Sequence, residues 1–371
     1  MITLVLLIPF IIYLFTLLFF CLANLKLQSH QITTDTNLGI SVIIAIRNGE
    51  KSLNHLIQNL LLQNYKGPIE FILIDDESTD NTKKYILDIV NKDARFKYLS
   101  SLDGNKKLKF KKKALDLGIQ NSKYNHLLFT DVDCSISNNW ITTMAHYFSN
   151  GFEYLVGYSL VKRNSTLNIV SRFQKMDLLL LMIMCRGSSY LNSPWASSGQ
   201  NQGFTKDLYS RTGGFLKITK FLGDDTPFLQ HCIARGANVS FVDSPNPQIL
   251  SRQEFKILNF LFQRIRWVFD ANQIWRINII FFILLIMTFI FYLMIPFLFF
   301  AIPTNIMFWL IICKLLLEFS LFNIGAKKYS EKIDYIDFLI WQILHIPYII
   351  LVGTMSFFKN QIQWKGRNLT I

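Results

Sequence analysis

Two carboxylates one residue apart, Asp131 and Asp133, end the segment HLLFTDVD that begins at His126. Hard oxygen donors at this spacing can share one divalent cation, and a cation so held can bridge the oxygens of a diphosphate. A second acidic pair, Asp75-Asp76, follows the apolar run Ile69–Ile74 and can accept hydrogen bonds from a base N–H or a ribose hydroxyl. Between the two pairs lie Lys109, Lys111, Lys112 and Lys113. At least one of them, assigned here to Lys111, can reach a phosphate, while the others read as a solvated face. An Asp-x-Asp triplet alone also occurs in solvated loops, so its weight depends on its surroundings. The chain has no Gly-x-Gly-x-x-Gly and no Walker lysine motif, which argues against a dinucleotide or P-loop enzyme.

The elements that must position these residues follow from the periodicity. Ile40–Ile46 is a β-branched run broken by Arg47-Asn48-Gly49, after which Leu53, Leu56, Ile57, Leu60 and Leu61 recur at helical spacing. Ile69–Ile74 reads as a second strand, and Ser78, Thr79 and Asp80 are candidate caps for a helix carrying Tyr85, Ile86, Ile89 and Val90. A short strand near Phe96–Leu99, a lysine-rich loop, another helix and the strand before Asp131 complete the rhythm. Strands alternating with helices predict a mainly parallel α/β sheet. Such a sheet brings Arg47, Asn48, Asp75, Asp76, Asp131 and Asp133 to one edge, because all six come just after strands.

Composition bounds the setting. The 371 residues are 51% hydrophobic and 17% charged, too apolar for an ordinary soluble domain and too charged for a bundle lying wholly in a membrane. Ile2 to Leu25 is almost continuously apolar, lacks a preceding basic residue and a small-residue cleavage site, and reads as a retained anchor. Lys26 and the basic domain behind it place that domain in the cytoplasm by the positive-inside tendency. Asn278–Phe300, Asn305–Asn323 and Ile336–Phe358 are three further candidate spans, and Lys314 and Glu318 are spaced to face one another on the second. Three crossings leave Lys359, Lys365 and Arg367 outside, so either the rule fails here or Pro347 breaks the last span into a re-entrant piece. Leu178–Met184, within Arg172 to Ser193, is too short to cross a bilayer and reads as a buried or interfacial helix. Its methionines suit either a lipid-guiding surface or plain packing. A net charge of +13 suits a phosphate-bearing partner. Five scattered cysteines without a Cys-x-x-Cys pair indicate neither a disulfide framework nor a zinc site, and His231 and Cys232 read as packing residues. The sequons at Asn164 and Asn368 carry no meaning for a cytoplasmic enzyme.

Seven stretches in order, IIAIRNGEKSL, LIDDESTDNT, KKKALDLGI, FTDVD, GQNQGFTKDLYSRTGGF, LGDDTPFL and QRIRW, resemble the membrane-bound family 2 glycosyltransferases. That group contains cellulose, chitin and hyaluronan synthases and the ceramide glucosyltransferases. The resemblance covers roughly Ile40 to Trp267 and implies a GT-A fold, a nucleotide-sugar donor, namely a UDP-sugar, Mg2+ or Mn2+, and inversion at the anomeric carbon. It assigns Asp75 or Asp76 to the uridine, Asp131 and Asp133 to metal and diphosphate, and Asp225 to the role of base. Gln263, Arg266 and Trp267 form the Gln-x-x-Arg-Trp element. Two departures stand out: relatives often carry Glu at the position of Asp224, and many carry Asn then Glu where this chain has Arg47-Asn48-Gly49 before Glu50.

The chemistry of the residues agrees with that assignment. Transfer to a hydroxyl needs a carboxylate to take its proton, and adjacent Asp224 and Asp225 disfavour simultaneous ionisation, which can move one toward a base's working range. The same pair can cap a helix starting near Thr226-Pro227. Arg264 or Arg266 can stabilise the leaving diphosphate, Trp267 can stack on an acceptor sugar or lipid headgroup, and Gly199 and Asn201 approach the acceptor. The expected layout is an anchor at 1–26, a catalytic domain at 38–250, an interfacial segment at 251–277, membrane segments at 278–358 and a basic tail at 359–371. The expected product is a sugar on a lipid or lipid-linked acceptor at the cell (inner) membrane. A processive polysaccharide synthase, with a partner subunit completing a channel, and an inactive scaffold are the alternatives. Nucleic acid is not an expected partner, because no basic stripe with interleaved aromatics occurs.

Overall fold

The computed structural model describes residues 2–27, 36–161, 168–244, 249–358, 361–364 and 367–370. Residues 28–35, the sequon at Asn164 and the basic residues Lys359 and Lys365 lie outside the described residues. The chain divides into two compact units: 28–163 with 191–252, and 1–27 with 164–190 and 253–371. The expected stretch 38–250 is therefore interrupted, with 164–190 grouped with the long helices.

The first unit is built on a seven-stranded sheet. Its strands are β1 (Ile40–Ile46), β2 (Ile69–Asp75), β3 (Phe96–Ser100), β4 (His126–Phe129), β6 (Tyr154–Val156), β8 (Gln202–Thr205) and β9 (Val239–Phe241), in the order β3-β2-β1-β4-β8-β6-β9. β1 pairs parallel with β2 and β4, β2 with β3, and β6 with β9, whereas β8 runs antiparallel to both its neighbours. Almost every residue of β1 and β2 is buried, which is why both read as apolar runs without regular alternation; the polar exceptions inside them, Ser41 and Glu70, are buried and hydrogen-bonded to each other. A small sheet of β5 (Ser135–Ile136), β10 (Ile249–Ser251) and β7 (Ser159–Val161) completes the strands of this unit.

Helices α2 (Glu50–Leu61), α3 (Thr82–Val90) and α4 (Phe110–Gln120) connect the parallel strands, and α5 (Trp140–Ser149) follows β5. α2 buries Leu53, Leu56, Ile57 and Leu60, one helical stripe, and leaves the expected Leu61 exposed. α3 starts later than expected: its cap residue is Asn81, and Asp80 accepts from the Thr82 amide at 3.1 Å. A Cβ at Gly118 of α4 would come within 2.6 Å of Ile43 and 2.9 Å of Ile74, so glycine is what lets this helix seat on the sheet. That close packing offsets the roughly 1 kcal/mol a helical glycine costs against alanine. α7 (Lys206–Thr212) and α8 (Thr226–Ile233) end the unit's helices.

The second unit is helical: α1 (Ile2–Lys26), α6 (Ile169–Ser188), α9 (Ile257–Gln273), α10 (Ile279–Ala301), α11 (Thr304–Lys328) and α12 (Tyr335–Phe358). Four helices, at Leu7–Lys26, Ile279–Ala301, Thr304–Lys328 and Tyr335–Phe358, are long and apolar enough to cross a membrane. α12 runs unbroken through Pro347, so of the two alternatives the helix break is not the one seen. Within a packed apolar helix, neighbouring groups can re-satisfy the carbonyl that proline frees. α6 packs on α1, α11 and α12 and buries Met176, Leu178, Leu179, Met182 and Ile183, so its apolar run is core packing and not an open surface. Buried Arg186 of α6 donates to the carbonyls of Asn24 (2.7 Å) and Leu27 (2.9 Å), satisfying the exposed end of α1's hydrogen-bond ladder. Beyond α12, the strands β11 (Gln361–Trp364) and β12 (Arg367–Thr370) pair antiparallel where a tail was expected.

Candidate functional site

The parallel strands β1, β2 and β4 end at one edge of the sheet, and their loops carry the expected residues there. β8 runs the other way, so its beginning meets the same edge: Gln202 sits opposite Phe129. That reversal brings the loop containing Gly199 beside the residues after β4.

Loops after β1 and β2 are laced together. Arg47 Nη1 donates to the carbonyls of Asp76 (3.0 Å) and Glu77 (2.8 Å), and Asn48 Oδ1 accepts from the Thr79 amide at 2.8 Å. The amides of Asn48, Gly49 and Glu50 donate in turn to Ser78, Thr82 and Asp80. Asn48 (φ 51°) and Glu77 (φ 55°) are held in the left-handed region, a conformation costing roughly 1 kcal/mol or more at such residues. The lacing supplies that energy and makes a rigid rim. Asp75 and Asp76 are both buried on this rim. Asp75 Oδ1 accepts from the Ser78 amide (3.0 Å), and Asp76 Oδ1 accepts from the Ser101 hydroxyl (3.1 Å).

Lys111, from the first turn of α4, is the centre of the second cluster. Its ammonium lies 2.9 Å from Asp131 Oδ1 and 3.6 Å from Asp224 Oδ1. Burial pulls the Lys111 amine down, but Asp131, Asp224 and Asp225 together outweigh it and hold the group above its ordinary value. Asp225 caps α8: Oδ1 accepts from the Thr226 amide (2.8 Å) and Oδ2 from the Gly199 amide (3.0 Å). Asp131 is partly exposed, Asp224 buried, and Asp133 exposed. Three carboxylates from segments nearly a hundred residues apart thus share one lysine.

Gly199 closes this cluster. A Cβ there would stand 3.1 Å from Lys111 Nζ, 3.2 Å from Asp224 Oδ2 and 3.5 Å from Asp225 Oδ2. Gly199→Ala is expected to push these groups apart and slow turnover about tenfold, with an unchanged melting temperature, as read by steady-state kinetics and thermal unfolding. Asn201, expected at the acceptor, is fully buried; its amide donates to the Tyr158 carbonyl (2.7 Å) and accepts from the Trp140 indole (2.9 Å). It holds the loop that carries Gly199.

Lys112 departs from the expectation of a solvated face. It is buried, and its ammonium donates to the carbonyls of Ile218 (3.1 Å) and Phe221. No feature of its immediate sequence separates it from Lys111 or Lys113. His231 and Cys232 are buried as expected, and the His231 ring meets the Thr212 carbonyl at 2.9 Å.

The Gln-x-x-Arg-Trp residues lie on α9 in the helical unit. Arg264 is buried and donates from Nε to Asp177 at 2.7 Å, with its guanidinium 4.0 Å from the Trp267 ring centre. One face of Trp267 is thereby covered by Arg264, and Asp177 is the partner that spacing along the sequence did not indicate. Gln263, whose carbonyl oxygen accepts from Arg264 at 3.2 Å, Arg266 and Trp267 are half-buried.

Among the described residues no three His, Cys, Asp or Glu side chains gather as a closed metal cage. The chemistry present is instead one or two hard carboxylates at the end of a strand, open on the Asp133 side. That donor set fits a Mg2+- or Mn2+-like ion that takes its remaining ligands from water and phosphate.

Residues 41–215 match the family model described as Glycosyl transferase family 2. A Haemophilus influenzae protein described as an uncharacterized glycosyltransferase is 27% identical over 146 residues, which is 38% of this chain and 56% of that protein. The chain thus spans little more than half the length of that relative. Among solved structures, a mannosyltransferase from Pyrobaculum calidifontis in complex with GDP-Man and Mn2+ is similar with a TM-score of 0.63 at 15% identity, covering 95% of this chain and 98% of that one. At that identity the likeness speaks for the fold.

Proposed function

We propose, from the premise that the chain carries a glycosyltransferase family 2 domain on an α/β GT-A-like fold, that it moves a sugar from a nucleoside diphosphate sugar to a lipid or lipid-linked acceptor. The observation that carries the proposal is the convergence of Asp131, Asp224 and Asp225 on Lys111. The Pyrobaculum neighbour's complex with GDP-Man and Mn2+ supports a diphosphate donor and a divalent ion.

Each residue then has a task. Asp75, whose second oxygen makes no hydrogen bond among the described residues, accepts from the nucleoside on the rim that Arg47 and Asn48 stiffen. Asp131 and Asp133 would hold the divalent ion, which when bound neutralises charge on the diphosphate. Lys111 supplies positive charge as the diphosphate leaves. Asp225 takes the proton of the acceptor hydroxyl, and the Thr226 and Gly199 amides keep its carboxylate aimed. Gln263 and Trp267 serve the acceptor. Attack by that hydroxyl opposite the leaving diphosphate inverts the anomeric carbon. The four long apolar helices favour an acceptor in the membrane, and Lys26 with the basic domain behind it favours a sheet unit on the cytoplasmic side.

Nucleotide release by detergent-purified protein, over a panel of donors with Mg2+ or Mn2+ and lipid extract, tests this reading. Donor-specific, metal-dependent release with label appearing in lipid is the expected result. A ladder of sugar polymers would instead favour the processive alternative. Asp133→Ala is expected to weaken donor binding about tenfold or more in metal and to abolish the difference made by EDTA. Calorimetric titration reads both, and equal binding with and without chelator in the wild type would remove the metal from the mechanism.

A further inference from the structure

The first turn of α4 carries three consecutive lysines that leave the helix in different directions, since successive residues are turned by about 100°. Lys111 goes to Asp131 and Asp224, Lys113 Nζ reaches the Leu102 carbonyl at 3.3 Å, and Lys112 points inward. Phe110, the residue before them, adopts φ 54°, a conformation that a bulky side chain holds only at a cost. The strain sits where the chain is being aimed.

A buried ammonium is unfavourable unless it is hydrogen-bonded, and here backbone carbonyls of Ile218 and Phe221 accept from it. These carbonyls belong to one turn, closed by the Phe221 amide donating to the Ile218 carbonyl at 3.1 Å. Ile218 and Phe221 are buried, whereas Thr219 and Lys220 between them are exposed. Gly223-Asp224-Asp225 follows after one residue, Leu222. The same helical turn therefore holds the backbone of this segment through Lys112 and meets its carboxylates through Lys111.

We propose that Lys112 is a positioning residue whose grip on the Ile218 and Phe221 carbonyls sets Asp224 and Asp225 against Lys111 and Asp131. It touches no reacting atom. Without it the two carbonyls lose their partner, the turn loosens, and the proton acceptor drifts from the line of attack while the nucleoside rim stays intact. The proposal rests on the transfer reading above, so its test includes a readout that does not depend on turnover.

Full-length wild type and Lys112→Met are compared for kcat, donor affinity and amide hydrogen exchange. The expected result is a fall in kcat of about tenfold or more at saturating donor, with donor dissociation constants within about threefold of each other. Exchange should quicken over 219–225 and stay slow in β1 and β2. Unchanged exchange over 219–225 overturns the proposal, and so does a donor affinity that falls as far as kcat, since Lys112 would then support the fold as a whole. If Lys112→Met does not fold, Lys112→Gln, which keeps one amide donor, carries the same measurements. Should the wild type release nucleotide from no donor, the transfer reading fails, and the exchange comparison still decides whether Lys112 holds the turn.

Discussion

Replacing Asp225 by Asn should leave the protein folded and able to bind its donor, while transfer falls by a factor of about a hundred or more. Asparagine is as good a helix cap as aspartate, so α8 keeps its start at Thr226. The amide has one acceptor oxygen where the carboxylate has two, so either the Thr226 or the Gly199 amide loses its partner. That loss costs about 1 kcal/mol, a modest change in melting temperature. The chemical loss is larger, because a neutral amide cannot take a proton from the attacking hydroxyl. Nucleotide release and calorimetric donor binding, measured on the same preparation, separate the two effects. Loss of donor binding along with turnover would show that Asp225 holds the donor and that the base lies elsewhere.

The second large effect is on stability. Lys314 and Glu318 of α11 form a buried ion pair at 2.8 Å, one helical turn apart. Lys314 also donates to Gln342 Oε1 at 3.0 Å, and Glu318 Oε1 accepts from the Tyr13 hydroxyl at 2.5 Å. The His345 ring meets the Tyr292 hydroxyl at 3.0 Å. This network ties α1, α10, α11 and α12 together inside the helical unit. Glu318→Leu leaves a buried ammonium without its counter-charge and is expected to cost about 3–5 kcal/mol. The double variant Lys314→Leu/Glu318→Leu removes both charges and should recover most of that loss. Thermal unfolding in detergent compares the three proteins, and a double variant less stable than the single one would refute this account of the pair.

What the sequence determined is whatever depends on local pattern. The apolar runs at Ile40–Ile46 and Ile69–Ile74 specify buried strands because a strand covered on both faces has no polar alternation. Leu53, Leu56, Ile57 and Leu60 specify one helical stripe, and the run of membrane-length helices is written in composition alone. Given those elements, Asp75, Asp131 and their neighbours must follow strands, and a parallel sheet must gather them.

The tertiary structure decided which groups face each other, and no local period encodes that. Pairing of Gln202 with Phe129 reverses β8 and brings Gly199 to the edge. Lys111 and Lys112 are identical in type and adjacent in sequence, yet one meets carboxylates and the other carbonyls a hundred residues away. Asn201 is buried by Trp140 and Tyr158, and Arg264 is engaged by Asp177. Each of these outcomes depends on partners far along the chain, whose approach is fixed by the packing of whole elements. A lysine's own sequence neighbourhood carries no record of which buried oxygen it will find.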